Sequence, residues 1–190
     1  MNSKNLKTAV VMIALLCLGV ARLAHATTML ALSLEDLVAR ADEIVLGTVV
    51  RAQSRWSKPG SVIVTDAEVR VDQSLKGTSA DGDTLLVTTL GGAVGDIALT
   101  VPGAAELKPG HQTLLFLRHK KGSKSLHVVG MSQGAIQVRV ENGISVVDSA
   151  QGGAELVETD ANGKLAKSSD APLKSLVLND LLSQIKSLVH

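Results

Sequence analysis

Apolar and polar positions alternate most strictly in the middle of the chain. Between Ser61 and Leu75, Ile63, Thr65, Ala67, Val69 and Val71 fall on one face, while Asp66, Glu68, Arg70 and Asp72 fall on the other. That period of two is the mark of a strand with one buried face, and Lys76-Gly77 ends it. A Val- and Ile-rich strand over Glu43–Ser54 precedes it and closes in a loop around Trp56, Pro59 and Gly60. Thr84–Leu90 reads as a third strand stopped by Gly91-Gly92. A long connection, Ala93–Gly110, then carries two Pro-Gly turn signals. Gln112–His119 and Ser125–Met131 are strands flanking the basic turn Lys120–Lys124, and Ala135–Val140 pairs with Ile144–Asp148 through Asn142-Gly143.

Period 3.6 appears at the two ends of this stretch. Ser33-Leu34-Glu35-Asp36 approximates a capping box, and Leu34, Leu37, Val38 and Ala41 share a face, predicting a short helix over Leu34–Asp42. At the C-terminus Asp170 can cap and Pro172 suits a first turn. Leu173, Leu176, Val177, Leu181, Ile185 and Leu188 then form one stripe, fit to dock on the barrel or on a partner. Five or more strands without long intervening helices imply a mainly β protein, a small antiparallel barrel with a short N-terminal helix, an extra hairpin and a C-terminal amphipathic helix. Crossover helices for a parallel sheet are missing, and no 20–50-residue period marks a repeat array.

The first 26 residues do not belong to this pattern. Lys4 and Lys7 precede the apolar run Ala9–Ala21, and Ala24-His25-Ala26 places small residues at a signal-peptidase site, with Ala24 and Ala26 as the recognised pair. The run is short of the roughly 20 residues that span a bilayer. An exported protein, periplasmic or extracellular, with no membrane span after signal removal is therefore expected. The chain divides into a signal peptide (1–26), the barrel domain with its helix and hairpin (27–148), a small, polar segment that is a linker or a further hairpin (149–171), and the terminal helix (172–190).

Removal of those 26 of the 190 residues leaves 164, with sixteen basic against eighteen acidic side chains, and takes away the only cysteine, Cys17. Disulfides, thiolate chemistry and cysteine-based metal sites are thereby excluded from the mature chain. Trp56 and Phe116 are the only aromatics. Two rings cannot build stacking platforms for nucleic-acid bases, and a near-neutral charge gives no general attraction to nucleic acid, so no nucleic-acid partner is expected. Interface hot spots favour Trp, Tyr and Arg, which singles out Trp56 as a partner-binding side chain.

Candidate chemistry is sparse. Gly130-Met131-Ser132-Gln133-Gly134 fits the nucleophile-elbow pattern, which requires a strand turning into a helix; a strand follows here instead, so a strand-to-strand turn is expected. His119 and His127 flank one hairpin and offer two metal ligands at most, with no evident third. A small secreted hydrolase or metal-binding protein using Ser132 or His119/His127 is the alternative to a non-enzymatic binding module. Gly91–Gly95 lacks the helix and lysine of a phosphate loop and reads as a bend. The run Arg118–Lys124 and the acids of the long strand read as solvated charge, the run being able to touch an acidic partner or a lipid headgroup. No cofactor is implied.

Three stretches carry a family resemblance: Ala41–Val50 opening with Ala-Asp, Ile63–Val71 leading to Leu75-Lys76-Gly77, and Pro109-Gly110 followed by Leu114–Leu117, a basic turn and Leu126–Gly130. In this order they resemble the netrin-like domain, the barrel of the tissue inhibitors of metalloproteinases. The resemblance implies an oligonucleotide/oligosaccharide-binding-type (OB-like) barrel and a partner that is another protein, a secreted protease. Netrin-like inhibitors chelate the protease zinc through an N-terminal cysteine held by disulfides. Here the expected new N-terminus is Thr27, which offers an amine and a carbonyl but no disulfide to pin them. Partner binding through Thr27 and Trp56 is the expectation.

Overall fold

The computed structural model describes residues 27–149, 154–159, 164–168 and 174–189. The cleavage residues Ala24 and Ala26, the cap Asp170, Pro172 and Leu173 lie outside these. The strands in chain order are β1 (Thr28–Leu30), β2 (Glu43–Trp56), β3 (Ile63–Lys76), β4 (Thr84–Leu90), β5 (Gly92–Val94), β6 (Ile97–Leu99), β7 (Gln112–His119) and β8 (Leu126–Val128), followed by β9 (Ala135–Glu141), β10 (Ile144–Ser149), β11 (Glu155–Thr159), β12 (Leu165–Lys167) and β13 (Lys174–Val177). Helix α1 spans Leu34–Arg40 and α2 spans Leu178–Val189.

Five strands close a barrel in the ring β2–β3–β4–β8–β7–β2. Every pair is antiparallel except β4–β8. Counted within the barrel the order is first, second, third, fifth, fourth, the OB-like arrangement. The sheet continues beyond the ring because β7 is shared along its length. Its second half, Leu117–His119, pairs with β8, and its first half, Thr113–Leu115, pairs with β9. Strands β10 and β13 extend the sheet from β9.

Burial on two faces explains the apolar run Leu114–Leu117. Leu115 and Leu117 point into the barrel with Val45, Val49, Val69 and Val87. Leu114 and Phe116 point outward, with Ile44 and Leu46, into a second core under the two helices. Helix α1 starts where Ser33 accepts the Asp36 N–H at 3.1 Å and contributes Leu37 and Val38. Helix α2 packs Leu178, Leu181, Leu182 and Ile185 into the same core, so it docks on its own domain.

The observed elements correct several sequence expectations. Trp56 is not in a loop: it ends β2 opposite Ile63 and is half-buried. The C-terminal stripe is not one helix, because Leu176 and Val177 belong to a strand on the edge of β10 and the buried helical face begins at Leu178. The connection after Gly91 holds the β5–β6 hairpin. The segment 149–171 takes the hairpin alternative expected for it, since β11 and β12 pair antiparallel; in addition β11 pairs parallel with β1.

Candidate functional site

The acids and glycines of the family-like motifs turn out to hold the barrel ends. Asp42 follows α1 and accepts the His119 N–H at 2.7 Å, closing the end of β7. The buried Glu43 carboxylate accepts from the backbone N–H and hydroxyl of both Thr78 and Ser79, at 2.8–3.2 Å. Burial would raise its pKa, but these four donors outweigh that and hold it below the ordinary carboxylate value. The Gly130–Gly134 motif is a jog. A 3-10 turn over Met131–Gly134 carries the chain from β8 to β9 along one edge of β7.

Ser132 is buried in that jog, its N–H donating to the Gly103 carbonyl at 2.8 Å. Gln133 next to it holds the N-terminal segment, accepting from Leu32 N–H at 2.8 Å and donating to the Leu30 carbonyl at 3.0 Å. Thr27 is exposed, and its carbonyl accepts the Glu155 N–H at 2.9 Å. The expectation that nothing pins this segment is thus corrected: strand pairing and Gln133 do so without a disulfide.

A cleft of about 880 Å³ opens at one end of the barrel. One wall is the end of β2 with Arg55 and the β2–β3 loop with Lys58 and Val62. Another wall is the end of β7 with Arg118 and the β7–β8 turn with Lys120 and Lys121. Its floor comes from β4 and β8, with Thr88, Leu90 and His127. In OB-like barrels this surface, the second and third barrel strands with the first and last barrel loops, is where ligands sit. None of the residues lining the cleft is a carboxylate.

The carboxylates of the neighbouring sheet face are already engaged, which corrects their reading as solvated charge. Glu68 pairs with its cross-strand partner Arg51. Asp72 is held by Thr48, Gln112 and Arg70. Asp66 takes Arg55 Nε at 2.5 Å and the Thr88 hydroxyl at 2.6 Å, and Thr88 in turn lies 2.7 Å from the Ser125 hydroxyl. Burial would raise the Asp66 carboxyl, yet these hydrogen bonds with the Arg55 and His127 charges bring it below its ordinary value. Among the described residues, Lys58, Arg118, Lys120 and Lys121 form no ion pair.

No family model matches this chain, and no curated protein or solved structure matches it either.

The structure brings His119 and His127 to the cleft but not to each other, since His127 registers with Arg118 and His119 with Leu126. Among the described residues no group of three or more His, Cys, Asp or Glu is placed to hold a metal ion. Ser132 and Trp56 are not among the cleft-lining residues, although Arg55 and Ser57 on either side of Trp56 are. The basic turn, read from sequence as a solvated tip, is one wall of the cleft. Arg55, Lys58 and Thr88 carried no sequence signal of their own. The pairing of two basic loops becomes visible only once the barrel closes. Among the described residues, no helix is long and apolar enough to cross a membrane.

Proposed function

We propose that this chain is an exported, non-enzymatic binding module that recognises another protein through the basic cleft. The carrying observation is charge segregation: five cationic side chains and no carboxylate line one concave surface, in a protein whose formal net charge is only +1. Such a surface concentrates an anionic partner at the mouth and favours its encounter. Val62 and Leu90, exposed at 38% and 45%, add aliphatic surface beside the cations, which suits an extended acidic segment carrying aliphatic side chains. Neither aromatic lines the cleft, and Phe116 is fully buried, so stacking of bases is not what this surface offers.

The netrin-like resemblance makes a secreted protease the first partner to try. The Thr27 route to a protease zinc is the weaker one, because the Thr27 carbonyl already accepts the Glu155 N–H. The reading is tested by affinity capture from exported proteins, run in parallel with the intact chain and with a Lys58→Glu/Arg118→Glu/Lys120→Glu variant. A protein retained by the intact chain and lost from the variant is expected. Equal retention by both contradicts the reading.

A further inference from the structure

Strand β4 parts from its neighbour β8 inside the cleft. The two pair in parallel at only two positions, Val87 with Leu126 and Thr88 with His127. Beyond these each chain turns away. Gly91 and Gly92, at φ of 92° and 125°, swing β4 into the β5–β6 hairpin. Gly130 and Met131, at φ of 62° and 60°, swing the chain after β8 into the jog. Leu90 and Val128 stand on the two arms of the resulting fork, and both line the cleft.

Register decides which way the Leu90 amide faces. Along an antiparallel ladder, successive residues turn both N–H and C=O alternately toward the partner strand and away from it. Gly91 N–H donates to the Ile63 carbonyl at 2.9 Å, and at the far end of the same ladder Val71 N–H donates to the Asp83 carbonyl at 2.8 Å. Odd-numbered residues of β4 therefore face β3, while Thr88 and Leu90 face the other way. Thr88 meets β8 there, but Leu90 lies past the last β8 pair. Its N–H and C=O are strand-edge groups with no strand beside them, a template for pairing with another chain. On the other arm Val129 N–H donates to the Phe116 carbonyl at 2.9 Å, so Val128 faces the fork.

We propose that an extended segment of the partner protein enters this fork and adds to the end of β4 as a short strand, accepting from Leu90 N–H and donating to Leu90 C=O. The inference rests on the cleft being the protein-binding surface and specifies how the partner is gripped there. Strand addition draws affinity from main-chain bonds and specificity from alternate side chains. The cleft sets what those side chains are: Arg55, Lys58, Arg118 and Lys120 favour carboxylates, and Val62 and Val128 favour aliphatic groups. A segment alternating acidic and aliphatic residues satisfies both. A second copy of this chain is a poor occupant, because its outer strands β12 and β13 carry lysine and no carboxylate.

The test uses the isotope-labelled chain and one probe, an acetylated octapeptide of alternating glutamate and valine. Amide hydrogen exchange at Leu90, read by NMR, is expected to slow by about tenfold or more at saturating peptide, because a bonded edge amide exchanges only when the added strand leaves. Peptide affinity is expected to fall about tenfold in Leu90→Pro, which removes the N–H yet suits an edge position where that N–H points outward. It is expected to fall no more than about threefold in Leu90→Ala, which keeps the N–H. The exchange measurement needs no variant and decides the case if Leu90→Pro fails to fold. Peptide that binds with Leu90 exchange unchanged overturns strand addition, as does peptide that does not bind at all. Slowing of Leu90 exchange without peptide, growing with protein concentration, gives the fork to a second copy and overturns it equally. Charge-dependent partner capture that persists in any of these cases leaves the proposed function standing without it.

Discussion

A β-carbon on Gly77 would lie 2.2 Å from Glu43 Oε2, so the Lys-Gly turn exists to let the chain wrap around a buried carboxylate. Glu43→Ala leaves four donors of Thr78 and Ser79 without their acceptor, and a loss of about 3 kcal/mol is expected in denaturant unfolding. The folded-state pKa of Glu43 is depressed, so its contribution is complete above the unfolded carboxylate value and is lost as pH falls through the folded one. Glu43→Gln is therefore expected to flatten the acid limb of a stability–pH profile relative to the unmodified chain. Gly134 is the same kind of position, because a β-carbon there would meet the Val129 carbonyl at 2.3 Å. Gly134→Ala is expected to cost more than about 2 kcal/mol, whereas Ser132→Ala is expected to leave partner capture unchanged. The glycines and acids of these motifs were legible as turn and strand-end signals. Their mutual contacts were not, because Glu43 and Thr78 are 35 residues apart.

Among the elements, legibility followed how far local pattern decided the structure. Strand β4 over Thr84–Leu90 and β7 over Gln112–His119 were readable to the residue, since alternation or a doubly buried apolar run leaves no helical alternative. The Asn142-Gly143 hairpin was readable from its turn, and both residues have the positive φ that such a turn requires. Segment Lys174–Val177 was not readable. Leu176 and Val177 fit a helical stripe equally well, and the open edge of β10, nearly thirty residues away, draws them into the sheet. The helix that follows is held by Leu181 and Ile185, both fully buried. Ile185→Ala is expected to lower stability by about 2–5 kcal/mol through loss of apolar contact and a residual cavity, measured by thermal or denaturant unfolding.

For the whole molecule, closure of the barrel decides what the surface can do. The β2–β3 loop and the β7–β8 turn are more than fifty residues apart in sequence, yet the ladder from Asp66 through Thr88 to His127 across β3, β4 and β8 brings both to the same cleft. A mainly β architecture with a small antiparallel barrel was legible from the number and spacing of strands, and its OB-like character came from the family resemblance. The cleft was not, because each basic loop alone is indistinguishable from a solvated tip. The central claim is that a partner protein occupies this cleft. It is tested most directly by placing a photoreactive side chain at Ser123 in the cleft wall, at Thr27 or at exposed Val140, and irradiating cells that produce the protein. A covalent adduct with another protein is predicted from Ser123, and it is predicted to disappear when Lys58, Arg118 and Lys120 are changed to glutamate. An adduct from Thr27 or Val140 with none from Ser123 would contradict the account.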